Sequence, residues 1–143
     1  MEDYASSGEE RYPDFIIGGA MKSATSTLHH ILDQHEEVYI PDGEVHFFSV
    51  DDIAEHPAFF HKYGGEWAIQ DYQEHFDAHR SRYAKLFEDA RSEQVVGEDS
   101  TVYLASKKAP ARIAKFLPDV KLVFLLRDPV KRAYSHYYHA LKR

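Results

Sequence analysis

The sequence contains no cysteine, which excludes a disulfide framework and any thiolate-ligated metal. It has no apolar run approaching the roughly 18 residues that a membrane span requires. It also lacks an excess of positive charge. Lys and Arg number 17 against 24 Asp and Glu, a formal charge of −7, and that is the wrong sign for a nonspecific nucleic-acid binder. The first eleven residues are acidic and polar, with no basic start leading into a hydrophobic stretch, so no secretory leader is expected. Ten histidines are present, but no H-E-x-x-H pattern or carboxylate cluster accompanies them, and no metal site is expected. No internal repeat or low-complexity linker interrupts the chain. These absences lead to the expectation of a soluble, cytoplasmic protein with no nucleic-acid or membrane partner.

What is present suits one globular domain: 43% hydrophobic and 29% charged residues over 143 positions. Residues 1–12 read as a flexible tail and 13–143 as the domain. Phe15-Ile16-Ile17 is a short apolar run ending at Gly18-Gly19, the pattern of a parallel strand buried on both faces. A helix is expected to start near Thr25 or Ser26, both good N-caps. Val38 to Ile40 predicts a second strand, closed by Pro41-Asp42-Gly43. The stretch 52–92 predicts several short helices, with Tyr83, Leu86, Phe87 and Ala90 as the clearest stripe. Gln94 to Gly97 predicts a third strand and Lys107 to Phe116 a helix. Lys121 to Leu126 is the strongest strand pattern, and Asp128-Pro129 opens a final helix with an N-cap and a first-turn proline. The helical spacing of Tyr134, Tyr137 and Tyr138 predicts core residues. Strands alternating with helices predict an α/β fold with a parallel sheet, in which ligands bind beyond the carboxyl ends of the strands.

Two segments stand where that rule puts a ligand. After the first strand come Lys22, Ser23, Ala24, Thr25, Ser26 and Thr27, where small residues admit an anion to the backbone and hydroxyls and a lysine supply donors. By itself this segment also suits a strand–turn–helix junction whose polar residues only cap the helix. A kinase P-loop needs G-x-x-x-x-G-K-S/T, and no glycine directly precedes Lys22. After the strongest strand comes Arg127, with Ser135 seven positions past Asp128. About two turns of helix bring Ser135 back over the same face, so a guanidinium fork and a hydroxyl could hold one phosphate. An Arg127–carboxylate pair with an incidental Ser135 is the plainer alternative.

Together the segments, K-x-x-T-S-x-L and R-D-P-x-x-R-x-x-S-x-Y, resemble the sulfotransferases that use 3′-phosphoadenosine 5′-phosphosulfate (PAPS). The resemblance implies a P-loop-like parallel sheet flanked by helices, with PAPS as co-substrate and no metal. It implies that Lys22 is catalytic and that Ser23 to Thr27 bind the phosphosulfate. Arg127 and Ser135 would bind the 3′-phosphate. Glu44-Val45-His46-Phe47-Phe48 resembles the E-x-H-F-F segment of heparan-sulfate-type carbohydrate sulfotransferases, which implies Glu44 as base, assisted or oriented by His46, and a carbohydrate acceptor with a hydroxyl or amine. Gly97 to Tyr103 resembles G-E-x-S/T-P-x-Y, and the chain departs from the family's usual residues both here and in the first motif. Thr101 replaces the proline, Asp99 stands where some members carry lysine, and Ala24 stands where glycine is usual. If position 24 needs positive φ, alanine there costs about 1 kcal/mol. The family's catalytic domain continues past its second motif, so the chain is expected to correspond to the N-terminal part of that domain, truncated after the 3′-phosphate strand and helix. A P-loop kinase-like phosphotransferase and a nucleotide-binding remnant without turnover are the competing functions. Acceptor identity and oligomeric state have no signature here.

Overall fold

A computed structural model of the chain describes residues 10–52 and 71–142, with the backbone of 62–63 and 66–67. In chain order the elements are β1 Phe15–Gly19, α1 Thr25–Asp33, β2 Val38–Tyr39, a 3-10 turn Phe47–Ser49, β3 Lys62–Tyr63, β4 Glu66–Trp67, α2 Phe76–Lys85, β5 Val95–Asp99, α3 Ala109–Phe116, β6 Lys121–Phe124 and α4 Pro129–Leu141. Strands β2, β5, β1 and β6 form a sheet in that order, every pairing parallel. Strands β3 and β4 pair separately and antiparallel.

The order decides where a site can form. From β1 the chain moves to β2 at one edge, returns to β5 beside β1, and then crosses to β6 on the other side of β1. Strand β1 therefore marks the point where the winding reverses, and the ends of β5, β1 and β6 open into one crevice. Ile16 and Ile17 are fully buried, as a central strand covered on both faces requires. Phe15 lies opposite Gly97 in register. A Cβ at Gly97 would lie 2.2 Å from the Phe15 ring, so any side chain there would have to displace that ring.

The core is aromatic. Phe47, Phe48, Tyr72, Tyr83 and Phe87 are buried together with Ile16, Val96, Val102, Tyr103 and Ile113. Phe47 stacks on Tyr83 with ring centroids 4.2 Å apart and meets Phe48 edge-on at 4.8 Å. Helix α3 starts at Ala109, two residues later than expected, and just before it Ser106 Oγ accepts from the amides of Lys108 and Ala109 at 3.2 and 3.0 Å.

Several expectations are corrected. Residues 10–12 are not tail: Tyr12 meets Phe116 edge-on at 5.0 Å, and Arg11 donates to the carbonyls of Arg91 and Gln94. The rest of the expected tail, 1–9, lies outside the described residues. In the 52–92 stretch the described elements are the β3–β4 pair and α2; the rest of the expected short helices fall on residues 53–61, 64–65 and 68–70, outside the described residues. The strongest strand pattern does form a strand, β6, ending at Phe124 rather than Leu126, at the edge of the described sheet with Leu122 and Phe124 49% and 42% exposed. Tyr134, Tyr137 and Tyr138 are exposed too, with Val130 and Leu141. Their helical spacing does mark an apolar face, but no described element packs on it.

Because Phe47 joins the core to the turn that follows Glu44, Phe47→Ala is expected to destabilise the chain by about 3–5 kcal/mol, read as a lower urea midpoint.

Candidate active site

The loop from Gly19 to Ala24 carries the first motif. Gly19 has φ 141°, and a Cβ there would lie 2.8 Å from the Thr101 carbonyl oxygen, so glycine is required on both counts. Lys22 and Ala24 adopt left-handed φ of 61° and 66°, which confirms the conformation that makes alanine costly at position 24. Ala24, not Thr25 or Ser26, is the N-cap of α1, and no side chain caps the helix. Its carbonyl accepts from Thr27 and Leu28 at 3.1 Å each. The amides of Thr25 and Ser26, at the very start of α1, are given no acceptor by a capping side chain, the arrangement that favours an anion.

The second motif is braced against the first. Ala20 N–H donates to the Leu125 carbonyl at 3.0 Å, and Leu125 N–H to that of Gly19 at 2.8 Å. Arg127 Nη1 donates to the Lys22 carbonyl at 3.2 Å. Asp128 caps α4 as expected, its side chain accepting from Lys131 N–H at 2.9 Å, with Pro129 in the first turn. One cavity of about 480 Å³ results, walled by Lys22, Ala24, Thr25, Ser26, Arg127 and Ser135, and also by Glu44, Thr101, Met21 and His139.

Most of the residues singled out in the sequence therefore meet there. Thr27 is exposed and does not line this cavity. Ser23 is buried under the loop with its Oγ unpartnered. His46 stands behind Glu44, with Nε2 3.2 Å from Glu44 Oε2. Thr101 and His139 were not foreseen. His139 lies one turn beyond Ser135, a spacing that could have suggested it. Thr101 stands where the family pattern has proline, and its hydroxyl donates to Glu44 Oε1.

The carboxylates near this wall have different environments. Burial pushes the Glu44 carboxyl up, but the hydrogen bonds from His46 and Thr101 outweigh it and hold the group below the ordinary glutamate value. For Asp99 burial acts in the same upward direction and the Glu44 charge adds to it. The bond to His29 Nδ1 at 3.2 Å only partly opposes them, and the Asp99 carboxyl is raised. Glu44 is thus shifted toward the ionised form and Asp99 toward the protonated one. Among the described residues no group of three or more His, Asp or Glu side chains could hold a metal ion.

Residues 13–143 match the model of the sulfotransferase family. The chain belongs to that family. It is 29% identical over 140 residues to the heparan sulfate glucosamine 3-O-sulfotransferase 3B1 of Mus musculus, covering 98% of this chain and 30% of that one. To the membrane-associated sulfotransferase kil1 of Dictyostelium discoideum it is 28% identical over 131 residues, 91% of this chain and 23% of the relative. A crystal structure of a sulfotransferase from Alicyclobacillus acidocaldarius superposes with a TM-score of 0.70 at 35% identity, over 92% of this chain and 51% of that chain. This sulfotransferase-family chain thus spans less than a third of these two relatives and about half of the solved neighbour.

Glu44 titrates low because two donors face it. Thr101→Ala is therefore expected to raise its pKa, measured by NMR titration of the side-chain carboxyl carbon. The native bonds contribute stability above the unfolded glutamate value, and that contribution disappears as pH falls through the lower folded value. The variant should accordingly be less stable than wild type at neutral pH and match it in strong acid.

Proposed function

We propose that this chain forms the nucleotide side of a sulfotransferase site that moves a sulfuryl group from PAPS to a hydroxyl or amine, with a carbohydrate as acceptor. The observation that carries the reading is the single cavity in which an uncapped helix start, Lys22, Arg127 and Ser135 face Glu44. PAPS supplies the activated sulfuryl group when bound. The donor set suits such an anionic ligand: Lys22, Arg127, the hydroxyls of Thr25, Ser26 and Ser135, and the amides at the start of α1, with one carboxylate in the wall, held by the Thr101 hydroxyl.

In this reading the amides and hydroxyls of Thr25 and Ser26 hold the phosphosulfate. Lys22 places its charge where the leaving oxygen develops negative charge, as transfer chemistry of this kind demands. Arg127 and Ser135 hold the 3′-phosphate. Glu44, ionised at neutral pH, accepts the proton of the attacking hydroxyl or amine, while His46 fixes the carboxylate's orientation. The carbohydrate acceptor is supported by the E-x-H-F-F segment and by relatives whose names specify heparan sulfate glucosamine.

The test is calorimetric titration with 3′-phosphoadenosine 5′-phosphate, with and without magnesium, beside ATP. Metal-independent binding is expected, weakened about tenfold or more by Lys22→Ala or Arg127→Ala as charge-assisted contacts are lost. Glu44→Gln should keep that affinity and lose turnover. Metal-dependent ATP binding in its place would favour a phosphotransferase. Nucleotide binding with no turnover in the wild-type chain would favour the remnant.

A further inference from the structure

Directly behind the cavity wall, the segment Glu44 to Phe48 is suspended from the segment Glu98 to Tyr103. Val45 N–H donates to the Asp99 carbonyl at 3.1 Å. His46 N–H donates to Ser100 Oγ at 2.9 Å, and Phe48 N–H to the Tyr103 hydroxyl at 3.2 Å. Hydroxyl groups can donate or accept, so something must make these two acceptors. That partner is Glu98, fully buried. Ser100 Oγ donates to its Oε1 at 2.8 Å, Tyr103 to the same oxygen at 2.5 Å, and Tyr83 to Oε2.

We propose that Glu98, acting through Ser100 and Tyr103, is a positioning residue for the Glu44–His46 pair. By consuming both hydroxyl protons it turns their lone pairs toward the loop amides. The inference rests on the proposed role of Glu44 and deepens it. His46 needs such anchoring because its backbone is left-handed, with φ 57°, a conformation that non-glycine residues leave unless surrounding contacts hold them. A core acid thereby sets the aim of a side chain it does not touch. Gln at position 98 can present its carbonyl oxygen to Ser100 and Tyr103 and its amide to the Tyr83 hydroxyl, which then accepts. Leu at 98 can do neither.

The experiment follows backbone amide exchange by NMR in wild type, Ser100→Ala, Glu98→Gln and Glu98→Leu, together with affinity for 3′-phosphoadenosine 5′-phosphate and turnover. Ser100→Ala is expected to speed exchange at His46 by about tenfold, the loss of one buried hydrogen bond, with the amides of β1 and β5 unchanged. Nucleotide affinity should stay within about twofold of wild type, and kcat should fall about tenfold with KM for the nucleotide constant. Glu98→Gln should behave like wild type, and Glu98→Leu, if it folds, like Ser100→Ala. Unchanged exchange at His46 in Ser100→Ala, a uniform rise across the sheet, or wild-type kcat would overturn the proposal. Failure of the wild-type chain to bind the nucleotide would overturn the functional reading instead, and the exchange pattern would still decide whether the acid anchors the loop.

Discussion

A carboxylic acid sits in the middle of an aromatic core, and the geometry of the candidate site follows from how it is satisfied. Glu98 is fully buried, and an isolated carboxylate there would be prohibitively unfavourable. Burial pushes its carboxyl up, against hydrogen bonds from Tyr103, Tyr83 and Ser100 that pull it down. Tyr83 also stacks on Phe47, and Tyr103 also receives the Phe48 amide. The same three side chains therefore satisfy the acid, fill the core and fix the loop that carries Glu44. Such a network is stabilising only when complete, because each unpaired member in a dry core forfeits its solvation.

Sheet topology supplies the other half of the constraint. Strand β1 lies between β5 and β6, so the segments after all three strands converge although Lys22 and Arg127 stand 105 positions apart. The backbone bonds between Gly19, Ala20 and Leu125 fix their separation, and the Arg127 guanidinium closes onto the Lys22 carbonyl. This is compatible with the proposed anion site in a chain of net charge −7. Two cations and the amides at the start of α1 line the cavity at close range, where local charges count for more than distant, screened ones.

Much of this was legible in the sequence where the signal is local. Phe15 to Gly19 reads as a buried strand from composition alone, and Asp128-Pro129 states the start of α4. The two motifs announce an anion loop and its partner because their spacing reflects backbone requirements. What escaped depends on contacts far apart in sequence. Nothing near Glu98 says that Tyr83 will meet it, and nothing near Thr101 says that its hydroxyl will meet Glu44 across 57 positions. The N-cap of α1 was misplaced because Thr25 and Ser26 are the residues that propensity favours, whereas the left-handed kink at Ala24 settles the matter. The α4 tyrosines show a different limit. Periodicity tells which side of a helix is apolar, but burial needs a second surface, and sequence spacing carries no information about one.

Strain follows the same map. The non-glycine residues with left-handed backbones among those described are Lys22, Ala24 and His46. Two shape the loop on one side of the cavity, and the third follows Glu44 on another. Each such conformation costs about 1–2 kcal/mol and persists only where its surroundings over-determine it. The surroundings are identifiable at each position. The Ala24 carbonyl is engaged by two helix amides, the Lys22 carbonyl by Arg127, and the His46 amide by Ser100. A fold free to relax would place ordinary turns at these points, and Lys22 and Glu44 would no longer share a wall. The unfavourable backbone energy is thus tied to the juxtaposition of a cation and a carboxylate across one cavity, and the hydrogen bonds that offset it are those that hold the two sides in register.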